Sequence, residues 1–414
     1  MIFLNWHFCR RVIEFSLYFS RIIVRISSRL TAAPTPLSLY IHIPWCVQKC
    51  PYCDFNSHAV RGSLDEDAYV DVLMADLDGE VFQIQDRVLH SIFIGGGTPS
   101  LFSGDAIARL LAGIRQRITC PADMEITLEA NPGTLESDHF AAYHAAGVNR
   151  LSIGVQSFDT GCLQRLGRIH GPDEAIAAVA AARSAGFENI NLDLMFGLPN
   201  QEINQAQADL ETAIGLNPEH ISYYQLTLEP GTPFHHSPPA LPVEAAIWDM
   251  QLQGQALLRD GGYAQYEISA YARPGWQCRH NLNYWTFGDY LGIGAGAHGK
   301  STNLSGLITR RCKVAKPSAY LTNSGSSFYA QKTLDAEDIK LEFMMNALRL
   351  HQGFSIDLFE ARTGLHFAEI KETVSAAIQR GLLQSEAEVL RPTALGQQFL
   401  NDLLAQFISS CNSA

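Results

Sequence analysis

Residues 37–55 read LSLYIHIPWCVQKCPYCDF, and the passage from the first half to the second decides how the chain is read. LSLYIHI (37–43) is a short apolar, β-rich run, the mark of a buried strand. It runs directly into Cys46, Cys50 and Cys53, spaced C-x3-C-x2-C. Three soft thiolates in one short loop suit an iron–sulfur cluster or zinc. A closed structural zinc site needs four ligands, and no fourth Cys or His stands at a standard spacing; His58, five residues beyond Cys53, is the nearest. Three thiolates on a four-iron cluster leave one iron open to an outside ligand. The nine cysteines of the 414-residue chain are an odd number, and three fall within eight residues. That usage fits metal ligation in a reducing, cytoplasmic setting better than a disulfide framework.

Outward from this loop, five further β-rich runs follow: SIFI (91–94), EITLE (125–129), RLSIGV (150–155), NINLDLM (core 190–195) and HISYYQL (220–226). Helical spacing fills the intervals: Tyr69, Leu73, Leu77 and Val81 form one stripe, and 105–117, 137–146, 172–185, 203–215 and 243–260 read the same way. Strand–helix alternation predicts parallel strands with right-handed crossovers, either a partial (β/α)6 barrel or an open doubly wound sheet. Special residues collect where successive strands end. The cysteines follow the first, GGGTPS the second, Glu129 ends the third, Gln156 follows the fourth, Asp193 lies on the fifth, and Tyr224 and Gln225 end the sixth. Parallel α/β folds converge their loops at that face, so it is where a site is expected.

Four segments follow from the pattern: a basic extension (1–36), the α/β barrel with a loop rich in Gly and aromatic residues (37–300), a Ser-, Thr- and Asn-rich connector (301–330), and a helical, winged-helix-like tail (331–405). The extension holds five Arg and only Glu14 as acid; it reads as an amphipathic targeting or membrane-surface segment, or as an over-called start with the chain beginning near Leu30. In the tail, Leu341, Met345 and Leu348 are expected on one helix face. Apolar residues make up 47% of the chain, enough for a sizeable core, which excludes a disordered tail protein. A net charge of −12, with 7 basic and 11 acidic residues in 331–414, argues against a nucleic-acid partner even for a winged helix. No run reaches the ~18 apolar residues of a spanning helix.

C-x3-C-x2-C with Tyr52 before the last cysteine resembles the signature of the radical S-adenosylmethionine (SAM) superfamily. That resemblance implies a partial (β/α)6 barrel and a [4Fe–4S] cluster whose open iron is chelated by SAM. LYIHIPWC, CPYCDF, GGGTPS, EANPG, LSIGVQSF, DLMFGLPNQ and the tail narrow it, over residues 37 to about 405, to the oxygen-independent coproporphyrinogen III oxidase-like family, which includes the HemW haem chaperones. Carried over by position, the cluster ligands are Cys46, Cys50 and Cys53. The SAM contacts are Tyr40, Tyr52, Gly96, Gly97, Thr98, Glu129, Gln156, Arg168 and Asp193. The oxidase branch carries a fourth cysteine where this chain has Phe55, and a longer N-terminal segment that residues 1–36 do not resemble. The chaperone branch carries H-N-x-x-Y-W, present as His280, Asn281, Tyr284 and Trp285. His280, or Cys278 instead, is then the expected haem iron ligand, with Tyr284 and Trp285 packing on the macrocycle. The resemblance thus implies haem binding and transfer to acceptor haem proteins of respiratory type. SAM-dependent decarboxylation of coproporphyrinogen III is the alternative; a homodimer and peripheral membrane contact stay open.

Overall fold

The computed structural model describes residues 35–408 except 82, 83, 85, 86, 134–138 and 323–327. The expected extension over 1–36 therefore lies, apart from Thr35 and Pro36, outside the described residues.

Strands β1 (Leu37–Ile43), β2 (Leu89–Gly96), β3 (Glu125–Ala130), β4 (Arg150–Gln156), β5 (Ile190–Phe196) and β6 (His220–Gln225) lie side by side in chain order, all parallel. The crossovers carry helices α1 (Glu66–Val81), α2 (Gly104–Arg117), α3 (Phe140–Ala146), α4 (Pro172–Ser184) and α5 (Ile203–Gly215). α6 (Glu244–Asp260) follows β6. This is the expected six-stranded parallel unit.

The strands alternate between two environments because successive side chains point to opposite faces. On β1, Leu37, Leu39, Ile41 and Ile43 are buried in one core with Tyr69, Leu73 and Leu77 of α1. Each such side chain contributes about 1.5–3 kcal/mol on burial. The other set faces inward and is mostly polar: Ser38 is hydrogen-bonded to Ser91 (2.8 Å), and Tyr40 stacks on Phe93. Inward rows on the other strands include Glu125, Thr127 and Glu129 on β3, Arg150 and Ser152 on β4, Asn191 and Asp193 on β5, and His220 on β6. Asn191 ties three of these strands together, donating to Ser152 Oγ (2.7 Å) and meeting His220 Nδ1 through its Oδ1 (2.6 Å).

The sheet continues past both ends of this unit and remains open. Beyond β6 lie the antiparallel Ala270–Ala272 and Ala264–Gln265. Beyond β1 lies β7 (Asp289–Ile293), parallel to it, and then the antiparallel β8 (His298–Thr302), β9 (Ile308–Lys313) and β10 (Phe328–Thr333). Residues 301–330, expected as a connector, are thus corrected: much of the segment is ordered edge of the main sheet. Lys313 on β9 is only 2% exposed and reaches back to α1, 2.5 Å from Asp76 and 2.6 Å from Glu80.

The tail packs helices Ala336–Ala347, Ile356–Thr363 and Lys371–Gln379 with a small sheet of Phe354–Ser355, Val389–Pro392 and Leu383–Glu386, the expected winged-helix order. Its first helix buries Ile339, Phe343, Met344 and Ala347, whereas Leu341 and Met345 of the expected face are only partly buried. Arg310 of β9 pairs with Glu342 (2.5 Å), fastening the tail to the sheet.

Candidate functional site

The cysteine loop leaves β1 at the C-terminal end of the barrel. Trp45–Cys46 pairs with His58–Ala59, so the loop closes on itself through hydrogen bonds from His58 N to Pro44 O (2.7 Å) and from Val60 N to Cys46 O (2.9 Å). Two further bonds stitch its root to the glycine turn after β2: Gly97 N to Ile43 O (2.8 Å) and Thr98 N to Trp45 O (2.7 Å). The three thiols are free and half-buried. Burial pushes Cys53 up to about 11 and also raises Cys46, so both need a cationic partner to ionise. The Nε2 of His58, the nearest histidine, lies 3.1 Å from Asn56 Oδ1. Among the described residues no three His, Cys, Asp or Glu side chains converge on a single-ion position.

The glycine turn is shaped for close approach. Gly96 has φ +120°, and a Cβ there would fall 2.6 Å from the His42 ring; one on Gly95 would fall 2.9 Å from Glu129 Oε2. Gly96 N donates to Glu129 Oε2 (3.0 Å). Burial, and next the charge of Asp193, push the Glu129 carboxyl up to about 7. His42 is held neutral by burial, at about 4. Its Nε2 donates to Asn56 O (2.9 Å), leaving Nδ1 to accept from the Tyr40 hydroxyl (3.0 Å).

Across the mouth, Arg168 donates through Nη2 to Asn131 Oδ1 and Gly154 O (2.8 Å each), with Nη1 3.8 Å from Cys50 Sγ. It is the cation beside the thiols. Asn131 in turn donates to Thr98 Oγ1 (2.9 Å). Gln156 takes φ +69°, outside the usual range for a side-chain-bearing residue, and accepts from the Tyr224 hydroxyl (2.8 Å). Asp193 accepts from Ser152 (3.0 Å) and Asn191 (2.9 Å). Tyr52 packs near Phe234, whose amide donates to Pro51 O (3.1 Å). The structure therefore brings Tyr40, Tyr52, Gly96, Gly97, Thr98, Glu129, Gln156, Arg168 and Asp193 to the same strand ends as the cysteines. His42, Asn131 and Tyr224 join them. Asn131 and Tyr224 stood within or beside the quoted motifs, and the i, i+2 relation of His42 to Tyr40 was a usable signal.

His280, Asn281, Tyr284 and Trp285 lie elsewhere, on α7 (Arg279–Trp285), which enters at the opposite end of the barrel. Glu125 receives it, accepting from Arg279 N (3.0 Å) and His280 N (3.1 Å), with Cys278 Sγ at 3.5 Å. His280 is completely buried, its Nδ1 3.0 Å from Ser91 Oγ and its Nε2 2.9 Å from the Tyr284 hydroxyl. Burial, and then Arg150, hold it neutral, at about 3. Trp285 is buried beneath the Arg349 guanidinium (4.2 Å to the ring), and Arg349 pairs with Glu267 (3.2 Å). In this arrangement neither nitrogen of His280 is free for iron.

A cysteine loop, a glycine turn and a partial parallel barrel in this order define a radical SAM protein. The chain matches the Radical SAM superfamily over residues 40–213 and the HemN C-terminal domain over 334–399. It is 53% identical to Heme chaperone HemW of Escherichia coli over 374 residues, 90% of this chain and 98% of that protein. To Heme chaperone HemW of Haemophilus influenzae it is 51% identical over 378 residues, 90% and 98% of the two chains. Among solved structures, coproporphyrinogen III oxidase (HemN) of E. coli superimposes with a TM-score of 0.77 at 24% identity, covering 91% of each chain, which speaks to the fold. The chain belongs to the HemW family. With that membership come SAM and a [4Fe–4S] cluster, and the donors fit both: three free thiols on one loop, a turn of glycines that any Cβ would obstruct, and Arg168 at the thiols.

Proposed function

We propose that this protein is a haem chaperone: it binds haem and passes it to acceptor haem proteins, and it carries a SAM-ligated [4Fe–4S] cluster. The observation that carries the reading is kinship along nearly the whole length of HemW proteins, tail included. When bound, the cluster supplies an electron and an open iron for SAM. The chain's own residues do the rest. Cys46, Cys50 and Cys53 hold the irons, and Arg168 offsets the negative charge that three thiolates bring together. Glu129, half-buried beside the glycine amide, offers a hydrogen-bond acceptor to an ammonium or ribose group. Asp193 and Gln156 stand ready for the ribose and adenosyl portions.

The haem segment is Cys278 to Trp285. Ligation by His280 requires either that α7 draw back from Ser91, which frees Nδ1, or that the Tyr284 side chain on the same helix turn aside, which frees Nε2. The acceptors are haem proteins of respiratory type, reached from the cytoplasm, with a homodimer as the working form. No helix among the described residues is long and apolar enough to cross a membrane; contact with a membrane surface belongs to the proposal.

The test is a paired assay on anaerobically reconstituted protein with its cluster verified. Haem transfer to a haem-free cytochrome is expected, and coproporphyrinogen III with SAM and reductant is expected to stay unchanged. Protoporphyrinogen formation, or absence of haem binding, refutes the proposal.

A further inference from the structure

Arg150 is the one barrel-facing cation left without an acceptor among the described residues, apart from Nε of Arg168, whose other nitrogens are engaged. Its side chain is 2% exposed, and it forms neither hydrogen bond nor ion pair with any described residue; its Nε is buried and unpartnered. Its register partner on β3, Thr127, is 0% exposed and its Oγ1 is also unpartnered. The carboxylates that act on the guanidinium electrostatically are Glu125 and Asp193. Both are already committed: Glu125 to the amides of Arg279 and His280, Asp193 to Ser152 and Asn191. A buried guanidinium without an acceptor is costly, because its donors lose water and gain nothing. A hydrophobic residue of similar volume would serve packing alone better. Two adjacent unpartnered polar groups facing one interior therefore mark a place that something else completes.

The chemistry and the location narrow what that is. Five fixed donors in a planar fork match a carboxylate, and the Thr127 hydroxyl adds one more. Arg150 lies between two layers, with Asp193 and Glu129 of the SAM mouth above and Cys278, His280 and Tyr266 below; its charge is felt by groups in both. At the strand ends where α7 enters, Glu125 also lines a cavity of about 460 Å³ with Asn149, Trp276 and Arg279.

We propose that Arg150, assisted by Thr127, is the receptor for a ligand carboxylate held inside the barrel between the SAM site and α7. Resting on the haem-chaperone reading, that carboxylate is a haem propionate. The propionate end is then anchored in the interior while the iron lies toward the α7 segment.

The experiment compares haem with haem dimethyl ester, and coproporphyrin III with its tetramethyl ester, on the full-length wild type, Arg150→Met and Arg150→Lys. The wild type is expected to prefer each acid over its ester by on the order of tenfold to a hundredfold. Arg150→Met binds acid and ester alike, at the wild type's affinity for the ester; Arg150→Lys recovers part of the preference. Ligand-free Arg150→Met unfolds at the same temperature as wild type or higher, since a desolvated, unmatched charge has been removed. SAM affinity is expected to be the same in all three proteins. A wild type indifferent to esterification in both pairs overturns the inference, as does a ligand-free Arg150→Met that melts several degrees lower, which makes Arg150 structural. A parallel loss of SAM affinity assigns the carboxylate to SAM and overturns the porphyrin assignment. If haem does not bind while coproporphyrin III keeps an Arg150-dependent preference over its ester, the chaperone reading fails and the carboxylate receptor stands.

Discussion

Glu129 gives the sharpest test of the site's electrostatics. Its folded-state pKa of about 7, against an ordinary 4.5, means that folding takes up a proton. Below 4.5 both folded and unfolded forms are protonated and nothing is lost. As the pH rises from 4.5 to about 7, the unfolded chain ionises freely while the folded one resists, so stability falls across that window and levels off above it. The interval corresponds to about 3 kcal/mol. Glu129→Gln removes the titration but keeps an oxygen for the Gly96 amide. Urea unfolding of cluster-free protein should therefore show the variant gaining on wild type by about 3 kcal/mol between about pH 4.5 and about pH 8. SAM should reverse the trend: its ammonium favours ionised Glu129, so wild-type SAM affinity climbs towards pH 7 while that of Glu129→Gln stays flat. Two stability profiles that run parallel over the whole range refute the reasoning, because they place the titration elsewhere.

Replacing Cys46, Cys50 or Cys53 singly by Ala should abolish the brown four-iron absorbance after anaerobic reconstitution; full iron content in all three variants removes the loop as the cluster site. His280→Ala should shift the Soret band of bound haem or weaken its binding severalfold, and an unchanged spectrum and affinity eliminates His280 as ligand. Lys313→Met strands Asp76 and Glu80, both buried, without their shared cation. Its unfolding free energy should drop by about 3–5 kcal/mol, measured by denaturant titration, and a loss under about 1 kcal/mol contradicts the buried pairing.

The parallel strands were legible because each is an apolar run whose outward face must be covered by a helix, and both periods show in the sequence. The gathering of polar residues at the barrel mouth was legible for a related reason: side chains at successive strand ends converge whatever their loops do. β8 and β9 are not legible in the sequence because they lie towards the sheet's edge, and charged residues such as Lys300, Arg310 and Lys313 carry no local sign of their partners. Their partners Asp289, Glu342 and Asp76 stand 11, 32 and 237 residues away along the chain, and only the last two pairs join distant elements. The same non-local matching hides the state of His280. Nothing near RHNLNYW in sequence announces that Ser91 and Glu125 will enclose it. Arg150 opens its strand, and its i, i+2 relation to Ser152, Gly154 and Gln156 places it on the inward row.

The stack of Trp285, Arg349 and Glu267 makes the tail a party to whatever happens at α7. Any ligand that draws α7 from the barrel must also disturb the indole under Arg349, a cation–π contact of about 0.5–2 kcal/mol at a desolvated site. By thermodynamic reciprocity, a protein that grips the tail and loosens that stack lowers the cost of opening α7 by the same amount as opening α7 eases the grip. On the proposed reading, opening of α7 and a grip on the tail are then coupled through Arg349.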